Sequence, residues 1–174
     1  MKRYELSNIS EWAKDVKAGD TVSLSGVVYT ARDAAHKRIC EAIERGEELP
    51  FDLKKSVIYY AGPTGTPPGK VIGSVGPTTS SRMDKFTPTL LDLGLSAIIG
   101  KGDRSQAVVD SLVKNSALYF CAVGGAGAYI ANCVKSCEVI AYPELGCESV
   151  KKLYVEDFLV FCAIDTYKKS IFDR

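Results

Sequence analysis

Hydrophobic and polar positions along the chain fall into short alternating runs and amphipathic stretches that follow one another in a repeating order. Residues 21–29 place Val22, Leu24 and then Val27 between polar or small neighbours, the period of a half-buried strand. Residues 31–45 place Ala34, Ala35, Ile39, Ala42 and Ile43 at helical spacing, and Gly46 follows as a stop. Upstream, Ser10 is placed to cap a short helix through Lys17, with Ala18-Gly19-Asp20 as a turn. Residues 55–61 (KSVIYYA) read as a short strand, and the Gly/Pro-rich run 62–69 cannot hold regular structure. Residues 71–75 read as another strand, after which Gly76-Pro77-Thr78-Thr79 turns into a helix running to about Leu93. The order then becomes regular: strand 96–99, helix 104–115, strand 117–123, helix 125–135 and strand 138–142. The tail, 150–164, is rich in branched and aromatic residues and reads as further β structure. Alternating strands and helices favour a parallel sheet with right-handed crossovers. The early strands and the tail depart from that pattern, so the prediction is a layered α/β domain with two sheets or one mixed sheet.

Length and composition narrow this further. The chain has 174 residues, 46% hydrophobic and 25% charged, which describes one globular domain spanning 1–174. Four of the seven prolines lie between positions 50 and 68, but the pieces on either side are too small to fold separately, so a surface loop is expected there. With 22 Lys plus Arg against 21 Asp plus Glu, nothing global favours nucleic acid or an acidic membrane surface, and any anion site must be local. The six cysteines, Cys40, Cys121, Cys133, Cys137, Cys147 and Cys162, contain no C-x-x-C. Several sit in apolar runs, where a thiol behaves as a small hydrophobe, and no metal site is expected from them. No signal-peptide core or membrane-length apolar run occurs, so the expected address is the reducing cytoplasm.

Four places could carry chemistry. In Gly76-Pro77-Thr78-Thr79-Ser80-Ser81-Arg82-Met83-Asp84, a strand feeding a hydroxyl-rich helix start would leave N–H groups free for an anion. Arg82, four residues after Thr78, would then project from the same face, while plain N-capping accounts for the hydroxyls as well. Arg32 precedes a helix, where the dipole disfavours a cation, so either an outside anion or a local pair with Asp33 is implied. His36, one turn on, either packs or transfers protons. Lys101 stands between two glycines after a buried strand, the position at which open α/β sheets bind ligands, although a solvated Lys in a turn reads equally well. The fourth, Gly124-Gly125-Ala126-Gly127, lacks the dinucleotide spacing and is no P-loop. Together these groups suit a small dicarboxylate, but without an accompanying acid or electrophile they amount to half of an active site.

The segments SGVVYTARDAAHKRI, YYAGPT with PPGKVIGSVGPTTSSRMD, IIGKGDRS, GGAGAYIA and EVIAYPELG with VEDF carry a resemblance. In them the chain resembles the β subunit or C-terminal domain of the iron-sulfur-dependent hydro-lyases, the class I fumarases and L-tartrate dehydratases. The match runs from about residue 20 to 165, and GPTTSSRMD preceded by PPGKVIGS is its most specific part. Ser80-Ser81 departs from the small residue, often Gly, expected before the Arg.

The resemblance implies a swivelling β/β/α domain with mixed sheets. It implies a partner α subunit, or N-terminal domain, whose three cysteines hold a 4Fe–4S cluster, in a hetero-oligomer such as α2β2. The cysteines of this chain match none of those ligands, so no metal or cofactor ligand is assigned here. One cluster iron without a protein thiolate would act as the Lewis acid toward the substrate. Thr78 matches the position of the base, and Arg32, Arg82 and Lys101 match the cations that grip the carboxylates, with Thr79 beside them. The reaction implied is reversible hydration of fumarate to (S)-malate in the tricarboxylic acid cycle. L-tartrate dehydration to oxaloacetate is the alternative, and a non-catalytic dicarboxylate-binding module is a third reading.

Overall fold

Seven strands and five helices are present among the described residues, which are 1–173 of this computed structural model. The strands are β1 (Lys2–Glu5), β2 (Thr21–Thr30), β3 (Val57–Tyr59), β4 (Ala97–Gly100), β5 (Leu118–Cys121), β6 (Val134–Ala141) and β7 (Val150–Ile164). The helices are α1 (Ile9–Trp12), α2 (Asp33–Glu44), α3 (Thr87–Asp92), α4 (Gln106–Lys114) and α5 (Gly127–Cys133). β1 to β5 are parallel neighbours in chain order, whereas β7 runs antiparallel to β2, β5 and β6. Pairing therefore passes from β2 through β3, β4, β5 and β7 back to β2, and the mixed sheet closes on itself.

Two buried clusters lie on the two faces of this sheet. The inner one gathers Val22, Leu24 and Val28 of β2, Tyr59, Ile99 and Phe120 of the central strands, and Leu153, Val155, Phe158 and Val160 of β7. The outer one packs Ile58, Ile98 and Tyr119 against Ile39 of α2, Leu90 and Leu91 of α3, and Val108 and Leu112 of α4. The result is a β/β/α layering, as the mixed-sheet expectation required. In β7 both Val155 and Phe158 face inward because Glu156 and Asp157 form a bulge opposite Ser25, with Asp157 at φ 53°. The bulge resets the alternation, so one strand of fifteen residues stays in phase with the core along its length.

Several local expectations give way. The edge strand β1 has a KRYE sequence with no apolar alternation, a charged composition that protects an edge. Ser10 lies inside the four-residue α1, flanked by 3-10 turns, and caps nothing. In β2 it is Val28, not Val27, that enters the core, and in α2 His36 takes the place in the buried stripe expected of Ala34. Gly46 does end α2, at φ 66°, with Gly46 and Glu47 N–H groups donating to the Ile43 and Ala42 carbonyls. Residues 71–75 are not a strand: the chain folds back so that Thr64 N–H donates to the Ser74 carbonyl, and a Cβ on Gly73 would overlap Thr64. The helix expected from Thr79 to Leu93 is broken into a 3-10 turn, Ser80–Met83, and α3, because Pro88 has no N–H to continue an earlier helix.

Phe158 is fully buried and meets the Tyr59 ring edge-on at 5.2 Å between centroids. Phe158→Ala is expected to cost about 3–5 kcal/mol, against at most about 0.5 kcal/mol for Glu156→Ala on the exposed side of the same strand. Chemical denaturation of the two variants checks this, and similar losses in both would contradict a closed core built on β7.

Candidate active site

Backbone bonds draw the carboxyl ends of four parallel strands into one rim. Ala31 N–H donates to the Tyr59 carbonyl (3.2 Å), Tyr60 N–H to Ile99 (2.8 Å) and Ala122 N–H to Gly100 (2.9 Å). The residues that follow these strands, Arg32, Ala61, Lys101 and Val123, are thereby brought to the end of the sheet where α/β folds bind ligands. Residues 76–80 lie across this rim. Thr78 N–H donates to the Tyr60 carbonyl (2.8 Å), Ser80 N–H donates to the Lys101 carbonyl (3.0 Å), and Thr79 forms a bridge with Lys101.

The helix start expected here is replaced by extended backbone. Thr79 has φ −62° and ψ 118°, the 3-10 turn begins only at Ser80, and no side chain caps it. Thr78 and Arg82 therefore do not share a helix face, and no long helix aims its dipole at Thr78. The hydroxyls serve other purposes. Thr78 Oγ1 donates to the Tyr60 carbonyl at 3.0 Å. Buried Ser80 Oγ accepts the Lys101 N–H (3.0 Å) and lies 2.9 Å from the Tyr119 hydroxyl, which donates to the Gly102 carbonyl (2.7 Å). Gly100 is required at this crossing, since a Cβ there would overlap Ser80 Oγ.

Around this frame stand the cations. Lys101 is exposed and extends toward the glycine loop, its Cδ 4.0 Å from the place of a Gly124 Cβ. The Arg32 stem lies over Gly62, where a Cβ would meet its Cδ and Nη1 at 3.0 Å, and its Nε stands 3.8 Å from Glu148 Oε1. Arg82 is mostly exposed and donates from Nε to Asp33 Oδ1 at 3.0 Å. The local pair of Arg32 with Asp33 is thus not formed; Asp33 holds Arg82 instead. The backbone thus places Arg32, Thr78, Thr79 and Lys101 along one rim, and Arg82 is tied to it through Asp33, the residue that follows Arg32.

Beneath the rim lies a group that sequence reasoning passed over. Arg104 is buried, donating to Asp84 Oδ1 from Nε (2.7 Å) and to Thr87 Oγ1 (2.7 Å) and the Tyr60 hydroxyl (3.3 Å) from Nη2. The other Asp84 oxygen accepts the Ser105 N–H at 2.7 Å. The logic applied to Arg32, a cation set just before a helix, would have found Arg104 as well, since α4 begins at Gln106. Ser80 and Glu148 left no such signal.

The described residues do not fit an iron-sulfur cluster. No three of their His, Cys, Asp and Glu side chains are grouped to hold a metal ion. Burial raises the thiol pKa of Cys40, Cys121, Cys133 and Cys137 and pushes Cys162 up to about 12, whereas a cluster ligand must be a thiolate. Among the described residues no helix is long and apolar enough to cross a membrane.

Comparison with known proteins adds to this geometry. A family model described as the fumarase C-terminus matches residues 1–174. The aerobic class I fumarate hydratase of Salmonella typhimurium is 39% identical over 171 residues, which is 97% of this chain and 30% of that protein. The anaerobic class I fumarate hydratase of Escherichia coli is 43% identical over 155 residues, 88% of this chain and 28% of that protein. A Methanocaldococcus jannaschii protein provisionally named L(+)-tartrate dehydratase subunit beta is 39% identical over 167 residues, covering 92% of this chain and 86% of its own length. The chain thus spans less than a third of these two fumarate hydratases and most of the tartrate dehydratase subunit.

His36 lies directly under the Arg32 backbone. Its Nδ1 bonds the Arg32 carbonyl at 2.7 Å, so it carries the proton there, and its ring packs edge-on to Tyr60 and against Phe86. Burial, joined by the Arg104 charge, lowers its pKa to about 4 against the opposing effects of the Arg32 carbonyl and Asp33. Of the two readings the sequence allowed, this is the packed one. The unfolded chain binds this proton near pH 6.5 and the folded chain near pH 4, so stability is full above pH 6.5 and is lost as pH falls toward 4. A loss of about 2 kcal/mol between pH 7 and pH 5 is expected from this group. Denaturation at both pH values should show it in the native chain and not in His36→Asn, whose amide replaces the Nδ1 donor without titrating; an equal loss in both refutes the assignment.

Proposed function

Because this chain belongs to the fumarase C-terminus family, we propose that it supplies the dicarboxylate-gripping half of a hydro-lyase active site. The reaction is the reversible hydration of fumarate to (S)-malate. The observation that carries this reading is the placement of Arg32, Thr78, Thr79 and Lys101 along one strand rim, with Arg82 joined to it through Asp33. Cations that follow two different strand ends of one rim, Arg32 after β2 and Lys101 after β4, suit a substrate with a carboxylate at each end, and Arg offers the bidentate fork that matches one.

Thr78 is assigned to the proton beside the substrate carboxylate. In the hydration direction its Oγ1 gives that proton to the alkene carbon and is reprotonated by the proton that the added water loses. In the dehydration direction the Oγ1 alkoxide takes the proton from carbon and passes it to the departing hydroxide, which leaves as water. An aliphatic hydroxyl resists ionisation by about 8 kcal/mol at neutral pH, at about 1.36 kcal/mol per pKa unit. Lys101 and Arg32 in a site closed to water supply most of this stabilisation. The electrophile for the hydroxyl would be supplied from outside this chain, by a partner α subunit or domain whose cysteines would hold the 4Fe–4S cluster. The unpaired cysteines are in keeping with a reducing cytoplasm. The coverage of a separately encoded tartrate dehydratase subunit favours a second reading, in which tartrate is dehydrated to oxaloacetate on the same rim.

The test is co-expression with a cysteine-bearing α subunit, sought first in a neighbouring reading frame, followed by parallel assays on fumarate and tartrate. Thr78→Ser should retain activity, and Thr78→Val should lower kcat by about 10²–10⁴-fold with KM little changed. Arg32→Met and Arg82→Met should each raise KM about tenfold or more. A fully active Thr78→Val removes the proton assignment, an unchanged KM removes the corresponding arginine, and failure to associate with any such subunit favours a dicarboxylate-binding module.

A further inference from the structure

Lys151 shares its face of β7 with Leu153 and Val155, pairs with Thr30 of β2 and Val139 of β6, and is only 8% exposed. A buried lysine ordinarily meets a carboxylate. None stands within ion-pair distance of this one among the described residues. Its Nζ faces neutral oxygens alone: Ser149 Oγ at 2.7 Å and the carbonyls of Gly146, Cys147 and Ser149 at 3.2, 3.3 and 3.4 Å. Four oxygens, three of them carbonyls, gathered about one positive charge resemble in kind the carbonyls that replace the hydration shell of a potassium ion. Gly146, at φ 60° and ψ −119°, bends residues 146–149 into this arrangement. Thr30 braces the loop from the other side, accepting the Lys151 N–H (3.2 Å) and donating to the Ser149 carbonyl (3.4 Å).

The loop so gathered forms the wall beside Arg32. Glu148 Oε1 is 3.8 Å from Arg32 Nε, and the Cys147 carbonyl lies 3.2 Å from the place of a Gly62 Cβ, where the Arg32 stem rests. We propose that Lys151 is a positioning residue whose ammonium acts as a tethered monovalent cation, drawing residues 146–149 together and so holding Glu148 and Cys147 against Arg32. The cation cage stands on these contacts alone; its consequence for catalysis rests on the reading of Arg32 as a substrate clamp.

Thermal unfolding of the full chain in lithium, potassium and ammonium chloride at equal ionic strength tests the cage. The native chain should melt at one temperature in all three salts. Lys151→Ala should melt about 5 °C lower in lithium chloride and regain at least half of that in potassium or ammonium chloride. Lys151→Met, which fills the space without a charge, should fall similarly and regain nothing. The same melting temperature for Lys151→Ala in all salts, equal recovery by Lys151→Met, or a Lys151→Ala chain unfolded in every salt overturns the proposal. In the complex with the α subunit, Lys151→Ala should raise KM severalfold at nearly native kcat, with potassium lowering it again. Ion-specific recovery of stability with an unchanged KM overturns the positioning role. A native complex without hydro-lyase activity removes the reading of the site while leaving the melting experiment to judge the cage.

Discussion

Strand β7 is the constraint on which the rest of the molecule depends. It hydrogen-bonds to β2, β5 and β6 and converts a parallel run of strands into a closed circuit. Its inward residues, from Leu153 to Cys162, supply much of the inner core, and burying that apolar face is the main favourable term in forming it. Closure also decides where the chemistry lies. Once β2 is fixed to β7 on one side and to β3 on the other, the carboxyl ends of β2, β3, β4 and β5 converge, and segments after them must cross within a few ångströms. The glycines at those crossings follow from this. Gly100 admits Ser80, and Gly127 approaches so closely that its Cβ would stand 2.9 Å from Gly76 N.

The charges around the rim are not equivalent. Each arginine there has an acid of its own: Asp33 for Arg82, Glu148 near Arg32, and Asp84 for Arg104 beneath. The exposed Arg82 pair contributes at most about 1 kcal/mol, so its carboxylate orients the guanidinium without consuming it. The Arg104–Asp84 pair is different, because removing either partner would strand a buried charge at a cost of about 3–5 kcal/mol. Arg104 therefore belongs to the floor of the site and not to its ligand-binding surface. Lys101 has no acid within ion-pair distance among the described residues, which leaves it as the rim cation most in need of an external anion.

Much of this was legible in the sequence, for identifiable reasons. The α/β alternation from residue 96 to 142 and the β tail follow from periodicity, and Gly46 ends α2 where its backbone requires φ above zero. The positions of Arg32 and Lys101 followed from their places beside strand ends. What could not be read depends on distant parts of the chain. The charged β1 exists only because β2 offers an edge, and the β7 bulge depends on its register with Ser25. The 76–84 segment has the residues of a capped helix, yet the Thr78 and Ser80 N–H groups are taken by Tyr60 and Lys101, 18 and 21 positions away, and the helix gives way. Ser80 departs from the small residue expected there, and the structure gives the reason: its hydroxyl joins Lys101 to Tyr119 across two strand ends.

In the proposed reading the proton is transferred by a threonine, and that choice follows from the same economy of charge. A carboxylate or a protonated histidine at position 78 would be a stronger acid–base group at neutral pH. A carboxylate 4 Å from a lysine, however, interacts with it by about 4 kcal/mol at an effective dielectric of 20, and that attraction would be satisfied before any substrate arrived. Thr78 is neutral, its proton directed to the Tyr60 carbonyl, so on the proposed reading Lys101 and Arg32 would keep their attraction for an incoming dicarboxylate. In the hydration direction the negative charge would develop on Oγ1 only during proton transfer, when those cations could stabilise it. A neutral hydroxyl among cations thus separates the interaction that recruits the substrate from the one that lowers the barrier, which is the condition for binding energy to be expressed in the transition state.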